Sequence, residues 1–159
     1  MTNNLRNIPI RTALISVYHK EGLAPVIGEL VRAGVQLIAT GGTLEYIRSL
    51  AAGATAVEDL TGYPSILGGR VKTLHPKIFG GILGRRDLPA DKADMEQWEI
   101  PPVDLVLVDL YPFHQTVASG ASHADIIEKI DIGGISLSQH KLKDYALQFI
   151  GTKPKGHFA

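Results

Sequence analysis

Ala13-Leu14-Ile15-Ser16-Val17-Tyr18, then Leu23, Val26, Ile27, Leu30 and Val31, then Val35-Gln36-Leu37-Ile38-Ala39: these three stretches decide the fold. The first is a short, largely apolar run that reads as a buried strand. The five apolar residues behind it recur at helical spacing up to Gly34, a candidate C-cap, and the third stretch is strand-like again. Strand, helix and strand in that order make a βαβ unit, the signature of a mainly parallel sheet covered by helices.

The pattern continues along the chain. Thr40-Gly41-Gly42-Thr43 turns into a helix bearing Leu44, Ile47 and Leu50, and an extended piece follows near residues 54–57. After a helix from Asp91 through Trp98, the span Val103–Leu110 is the most continuous apolar run and reads as a central strand. Ser122 with Asp125 resembles a capping box for a helix carrying Ile126, Ile127 and Ile130; Asp131-Ile132-Gly133-Gly134 then breaks the pattern before a last helical segment. The Gly/Pro-rich stretch from Thr61 to Gly84 reads as too irregular for a core element and long enough to be a functional loop.

Composition narrows the function classes. With 159 residues, 45% hydrophobic and 20% charged, the chain suits one domain with a real core. Sixteen Lys+Arg balance sixteen Asp+Glu, so no global field draws it to nucleic acid or to an anionic membrane, and any cationic site is local. Cysteine is absent, which excludes disulfides and thiolate metal sites. The opening Met1-Thr2-Asn3-Asn4-Leu5-Arg6 leads into no long apolar region and no run reaches spanning length, so a cytoplasmic location is the default expectation.

Gly68-Gly69-Arg70-Val71-Lys72-Thr73-Leu74-His75-Pro76 has the makings of an anion site. Its glycines let backbone N–H groups approach a ligand, Arg70 offers a bidentate fork and Lys72 a movable point charge. A basic surface loop is the plain alternative. In a doubly wound sheet ligands lie beyond the carboxyl ends of the strands, where Lys20, Thr40-Gly41-Gly42-Thr43, Asp109 and Tyr111 should meet this loop. Each has a structural reading as well: Thr43 as an N-cap, Tyr111 as a packed aromatic, Asp131 as a helix cap, and His75 as structural or substrate-facing. The six histidines show no i, i+4 pair, so a metal site is disfavoured. No Gly-x-Ser-x-Gly elbow or dinucleotide fingerprint occurs either.

Five motifs in order carry a resemblance: Tyr18-His19-Lys20-Glu21-Gly22-Leu23; Thr40-Gly41-Gly42-Thr43; Leu67 through Pro76; Asp109-Leu110-Tyr111-Pro112-Phe113 with Thr116-Val117-Ala118; and Ile130-Asp131-Ile132-Gly133-Gly134. They resemble the inosine monophosphate (IMP) cyclohydrolase domain of bifunctional purine biosynthesis proteins, over roughly residues 10–137. The resemblance implies a three-layer, methylglyoxal-synthase-like α/β fold with a mainly parallel sheet. It also implies closure of 5-formamidoimidazole-4-carboxamide ribonucleotide to IMP with loss of water, without metal or organic cofactor. The partner is then a purine nucleotide, with a homodimer expected by resemblance. By resemblance, Lys72, Tyr111, Asp131 and Lys143 are catalytic. The nucleotide contacts it assigns are Tyr18, His19, Lys20, Thr40, Gly41, Gly42, Thr43, Arg70, Val71, Lys72, Thr73, Val108, Asp109, Asp131 and the Ile132 N–H.

Methylglyoxal synthase shares a Thr-Gly-rich phosphate loop, but the Arg70–His75 and Tyr111–Phe113 blocks resemble the cyclohydrolase. Residues 1–9 read as an arm, and 138–159 as a divergent tail. There the family's Arg-Ala-Ala-Ala-Lys-Asn helix and next strand give way to Ser138-Gln139-His140-Lys141-Leu142-Lys143-Asp144, with Lys143 at the spacing of the family's lysine. The expectation is a weakly anchored tail, no transformylase half, and cyclohydrolase activity that is low or absent. The alternative is a nucleotide- or phosphate-binding remnant of the same fold.

Overall fold

The computed structural model describes residues 9–139 and 147–150. Strand β1 (Thr12–Ser16) leads to α1 (Leu23–Arg32), β2 (Gln36–Ala39), α2 (Gly41–Ser49), β3 (Thr55–Ala56) and α3 (Val57–Thr61). A 3-10 turn at Leu67–Gly69 precedes α4 (Pro76–Leu83), α5 (Pro89–Gln97) and β4 (Leu105–Val108). Then come α6 (Phe113–Ala118), α7 (His123–Ile127), α8 (Ile132–Gln139) and β5 (Leu147–Ile150).

The sheet order is β3-β2-β1-β4-β5, with every pairing parallel. From central β1 the chain first builds outward through β2 and β3, then returns to β1's other side for β4 and β5. Reversal at that point leaves a crevice beyond the carboxyl ends of β1 and β4.

Strand periodicity sorts the core into two layers of contact. Ala13, Ile15, Leu37, Ala39 and Leu105 are buried with Leu23, Ile27 and Leu30 of α1 and with Leu44 and Ile47 of α2. Leu14, Ile38, Val106 and Val108 join Val57 of α3, Ile78 and Ile82 of α4, and Leu137 of α8 in a second cluster. Helices therefore cover both faces, which is the three-layer α/β architecture.

One expectation fails here. The stretch from Thr61 to Gly84 contains α4, a core helix whose Ile78 is completely buried. Pro76 stands at its first turn, where a missing N–H is harmless, and His75 caps it by accepting the Lys77 N–H on Nδ1 at 3.1 Å. His75 is thus structural. Gly80-Gly81 lowers helix propensity and disguises the element. Its use is tertiary: a Cβ on Gly81 would run into the Pro101 carbonyl and come within 3.1 Å of Val103 Cγ2, so the glycine lets α4 lie close against that chain.

The chain after Leu137 also differs from the expected loose tail. Helix α8 continues to Gln139, and Leu147–Ile150 pairs in parallel with all of β4.

Candidate functional site

A cavity of about 440 Å³ opens beyond the carboxyl ends of β1, β2 and β4. It gathers the ends of the strands, the Gly68–Thr73 loop and the start of α8. Its lining carries Lys20, Arg70, Lys72 and Lys129 against Asp109, Glu128 and Asp131. The cationic character sought in the sequence is local, as a chain of zero formal net charge requires.

The pairings within the lining show which charges are already answered. Asp109 receives His19, with Nδ1 2.6 Å from Oδ2, and also the His19 backbone N–H at 2.9 Å. Arg70 meets Glu128 at 2.5 Å in a half-exposed pair. Lys20 donates to the Val17 carbonyl, to the Tyr18 carbonyl at 3.1 Å and to Thr43 Oγ1 at 3.4 Å. Lys72 has no carboxylate or hydrogen-bond partner among the described residues. Its ammonium lies where a Cβ on either Gly41 or Gly69 would come to 3.2 Å from Nζ, and both glycines have positive φ, 39° and 85°. Two backbone segments that only glycine suits thus make room for one uncompensated cation. A buried or half-buried charge in that condition is a ready partner for an anion or a developing oxyanion.

The turn Thr40-Gly41-Gly42-Thr43 works differently from the N-cap reading. Thr40, not Thr43, occupies the N-cap of α2, and its side chain makes no capping bond. Thr43 is buried and locks onto β1's end instead, donating to the Val17 carbonyl at 2.9 Å and accepting the Val17 N–H at 3.1 Å. Thr40 Oγ1 pairs with Ser16 Oγ at 3.1 Å. These bonds fix the turn against strand β1, leaving backbone N–H groups at the start of α2 for a ligand.

Asp131 is a helix cap and a site residue at once. Oδ1 accepts the Gly134 N–H at 2.7 Å at the start of α8, which leaves Oδ2 as the oxygen with capacity for a ligand. A Cβ on Gly133 would sit 2.8 Å from Thr73 Oγ1, so the helix start and the basic loop touch only because that position is glycine. Tyr111 stands beside these groups, edge to face with Tyr18 at 5.4 Å between ring centroids.

Two of the site's groups titrate away from their ordinary values. Burial lowers the Lys20 ammonium, with Asp109 and then Glu21 pulling it back up. Burial raises the Tyr111 phenol, and the Asp131 carboxylate and Tyr18 add to the rise. The folded state therefore favours neutral Tyr111. Its folded pKa exceeds the unfolded one, so this contribution to stability is intact below the unfolded value of about 10 and is lost as pH rises through the folded value. Comparing phenolate absorbance of the parent with Tyr111→Phe should reveal one tyrosine titrating above the ordinary range, and Asp131→Asn should bring it down. A Tyr111 midpoint at the ordinary value in the parent would refute the burial argument.

Of the residues singled out in the sequence, Tyr18, Lys20, Thr40, Gly42, Thr43, Arg70, Lys72, Thr73, Asp109, Tyr111, Asp131 and Ile132 line the cavity. His19 stands behind Asp109, and Gly41 stands against the Lys72 ammonium. Val71 is not among the lining residues, and Val108 belongs to the core cluster under α4 with 1% exposure, so its side chain meets neighbours rather than a ligand. Lys143 lies outside the described residues. Ser16, Val17, Glu128 and Lys129 line the cavity without having been singled out as site residues, and Ile130, Gly133 and Gly134 line it from a motif in which only Asp131 and Ile132 were given contacts. Ser16 and Val17 had a signal, their place at a strand's carboxyl end. Among the described residues no cluster of three His, Asp or Glu could hold a metal ion, and no helix is long and apolar enough to cross a membrane.

Comparison with known proteins agrees with this fold. The MGS-like domain model matches residues 22–136. The bifunctional purine biosynthesis protein PurH of Bacteroides thetaiotaomicron is 67% identical over 136 residues, which is 86% of this chain and 27% of that protein. PurH of Myxococcus xanthus is 51% identical over 133 residues, 84% of this chain and 26% of that protein. The chain thus spans about a quarter of the length of the curated relatives it matches. The crystal structure of ForH superposes with a TM-score of 0.64 at 34% identity, covering 78% of this chain and 62% of that one. With a family model over most of its length and a parallel three-layer sheet beneath its site, the chain belongs to the MGS-like domain family.

Proposed function

We propose that this domain binds a purine nucleotide and closes the ring of 5-formamidoimidazole-4-carboxamide ribonucleotide to give IMP. The observation that carries the reading is the uncompensated Lys72 ammonium in one cavity with Tyr111 and Asp131. The sequence similarity to PurH proteins supports a role in purine biosynthesis.

The reaction asks for such a set. The carboxamide nitrogen attacks the formyl carbon already tethered beside it and gives up one proton; the formyl oxygen gathers negative charge and departs as water, carrying that proton and the one released by the formamide nitrogen as its C=N bond forms. Because both partners belong to one molecule, holding the folded rotamer supplies much of the acceleration. Lys72 stabilises the oxygen's charge. Asp131 Oδ2 accepts a proton from the amide, and neutral Tyr111 donates to or orients the reacting group. The Ile132 N–H, at the positive end of α8, adds a fixed donor. The turn at residues 40–43 together with Lys20 and Arg70 takes the phosphate.

Arg70 provides a test of binding alone. Arg70→Ala should weaken IMP by roughly 1.5–3 kcal/mol, the scale of a charge-assisted contact. Glu128→Gln should tighten it, since the competing carboxylate is removed from the guanidinium. Calorimetry giving Arg70→Ala the parent's affinity would remove Arg70 from the phosphate. For the reaction, the decisive experiment is to incubate the protein with the formylated ribonucleotide and follow IMP by absorbance. IMP formation is expected. Tight IMP binding without turnover would leave a nucleotide-binding domain, and absence of both would discard the reading.

A further inference from the structure

Lys129 belongs to none of the five motifs, yet it lines the cavity. It stands two residues past the end of α7, and its backbone N–H donates to the Ile126 carbonyl at 3.0 Å, which holds it on the last turn of that helix. Its side chain has no carboxylate partner among the described residues. Instead the ammonium lies 5.2 Å from the Tyr18 ring centroid and 5.9 Å from that of Tyr111. Both lie within the range at which a cation is attracted by an aromatic quadrupole. The two rings meet edge to face at an interplanar angle of 72°. In that arrangement the electropositive edge of one ring is set against the electronegative face of the other. One cation thus ties together two rings that approach from different parts of the chain: Tyr18 just after β1 and Tyr111 just after β4.

We propose that Lys129 is a positioning residue of this site, holding Tyr18 and Tyr111 as one aromatic wall and so setting where the Tyr111 phenol meets a bound base. The proposal rests on the reading of the cavity as a purine nucleotide site. It goes beyond that reading in assigning the orientation of Tyr111 to a residue outside the catalytic set. Asp131 and Tyr18 act on the Tyr111 phenol, Lys129 stands over its ring, and Lys20, Arg70 and Lys72 line the same cavity. Removing Lys129 takes away the cation set over the ring, so the Asp131 carboxylate acts on the phenolate less opposed.

The test uses Lys129→Met, which keeps an unbranched stem without charge, and Lys129→Arg, which keeps the charge and suits an aromatic face. Phenolate absorbance, with Tyr111→Phe to identify the signal, should show the Tyr111 midpoint moving further up in Lys129→Met and returning toward the parent in Lys129→Arg. Calorimetry should show Lys129→Met weakening IMP by about 2- to 30-fold, while ribose 5-phosphate, which has no base to place, stays within about twofold. An unmoved Tyr111 midpoint, or equal losses for IMP and ribose 5-phosphate, would overturn the proposal, the second because it marks Lys129 as a general charge. A parent chain that binds no IMP would defeat the nucleotide reading, and the Tyr111 midpoint would then decide the role of Lys129 by itself.

Discussion

Lys72→Met should lower turnover of the formylated ribonucleotide by about 10²-fold or more at saturating substrate, the usual scale for removing one preorganised electrostatic donor. The expectation follows from how Lys72 differs from its neighbours. Arg70 is engaged by Glu128, and Lys20 is held by two carbonyls and a hydroxyl, whereas Lys72 is turned into the space left by Gly41 and Gly69 without a partner among the described residues. A cation so placed needs no rearrangement to meet charge that develops on the formyl oxygen. Methionine keeps the bulk of the stem and removes the ammonium, so packing between the two glycine turns should survive. Separating kcat from KM decides the role. A loss in KM with unchanged kcat would assign Lys72 to phosphate binding, and saturating rates equal to the parent's would take it out of the chemistry.

The glycines beside Lys72 supply a second arm. Gly69→Ala would place a methyl group 3.2 Å from the ammonium in a backbone conformation that alanine rarely adopts. It should therefore damage the same step without removing any charged group. Agreement between the two variants would tie the loss to the position of one atom, Lys72 Nζ.

Where burial imposes a period, the fold was legible. Leu14 against Ala13 and Ile15, and Leu23, Ile27 and Leu30 along α1, write their faces directly into the order of residues. Helix α4 escaped because its helical signal is weak at just the positions that bring it close to its neighbours: Gly81 is there for the Pro101 carbonyl and Val103. Strand β5 escaped because four residues, Leu147–Ile150, carry too short a pattern to stand out from a tail until they are paired with β4. The site divided in the same way. Residues that follow strands could be placed by topology, since every parallel strand delivers its carboxyl end to one edge. Glu128 and Lys129 could not, because they reach the cavity from the end of α7, and nothing local says where that end comes to rest. Thr43 shows a finer limit. Its type and position suit a helix cap, but the nearby end of β1 offers both a donor and an acceptor at Val17, and tertiary bonds displace the local one.

At the opposite end of the sheet from the cavity, Asp104→Ala should cost about 3–5 kcal/mol of stability. The Asp104 carboxylate is 4% exposed and serves three partners. Oδ2 accepts the backbone N–H groups of Arg11 at 2.8 Å and Thr12 at 2.9 Å, and Oδ1 takes Nη1 of Arg86. Arg86 Nη2 also donates to the Val103 carbonyl at 2.8 Å, and its Nε is buried with no partner among the described residues. Alanine would therefore strand a largely buried guanidinium and two N–H groups at the start of β1, the central strand. Arg86→Met should be milder, because the carboxylate would keep its two charge-assisted backbone bonds. Asp104→Asn should fall between the parent and alanine, retaining an acceptor for the N–H groups while giving up the charge. Urea unfolding of the three variants measures the order directly. IMP affinity of the folded molecules should stay at the parent's value in all three, since the clamp fixes the amino ends of β1 and β4 while the ligand meets their carboxyl ends. A loss below about 1 kcal/mol for Asp104→Ala would mean that water replaces the carboxylate at low cost, and the clamp would then have to be read as an ordinary surface pair.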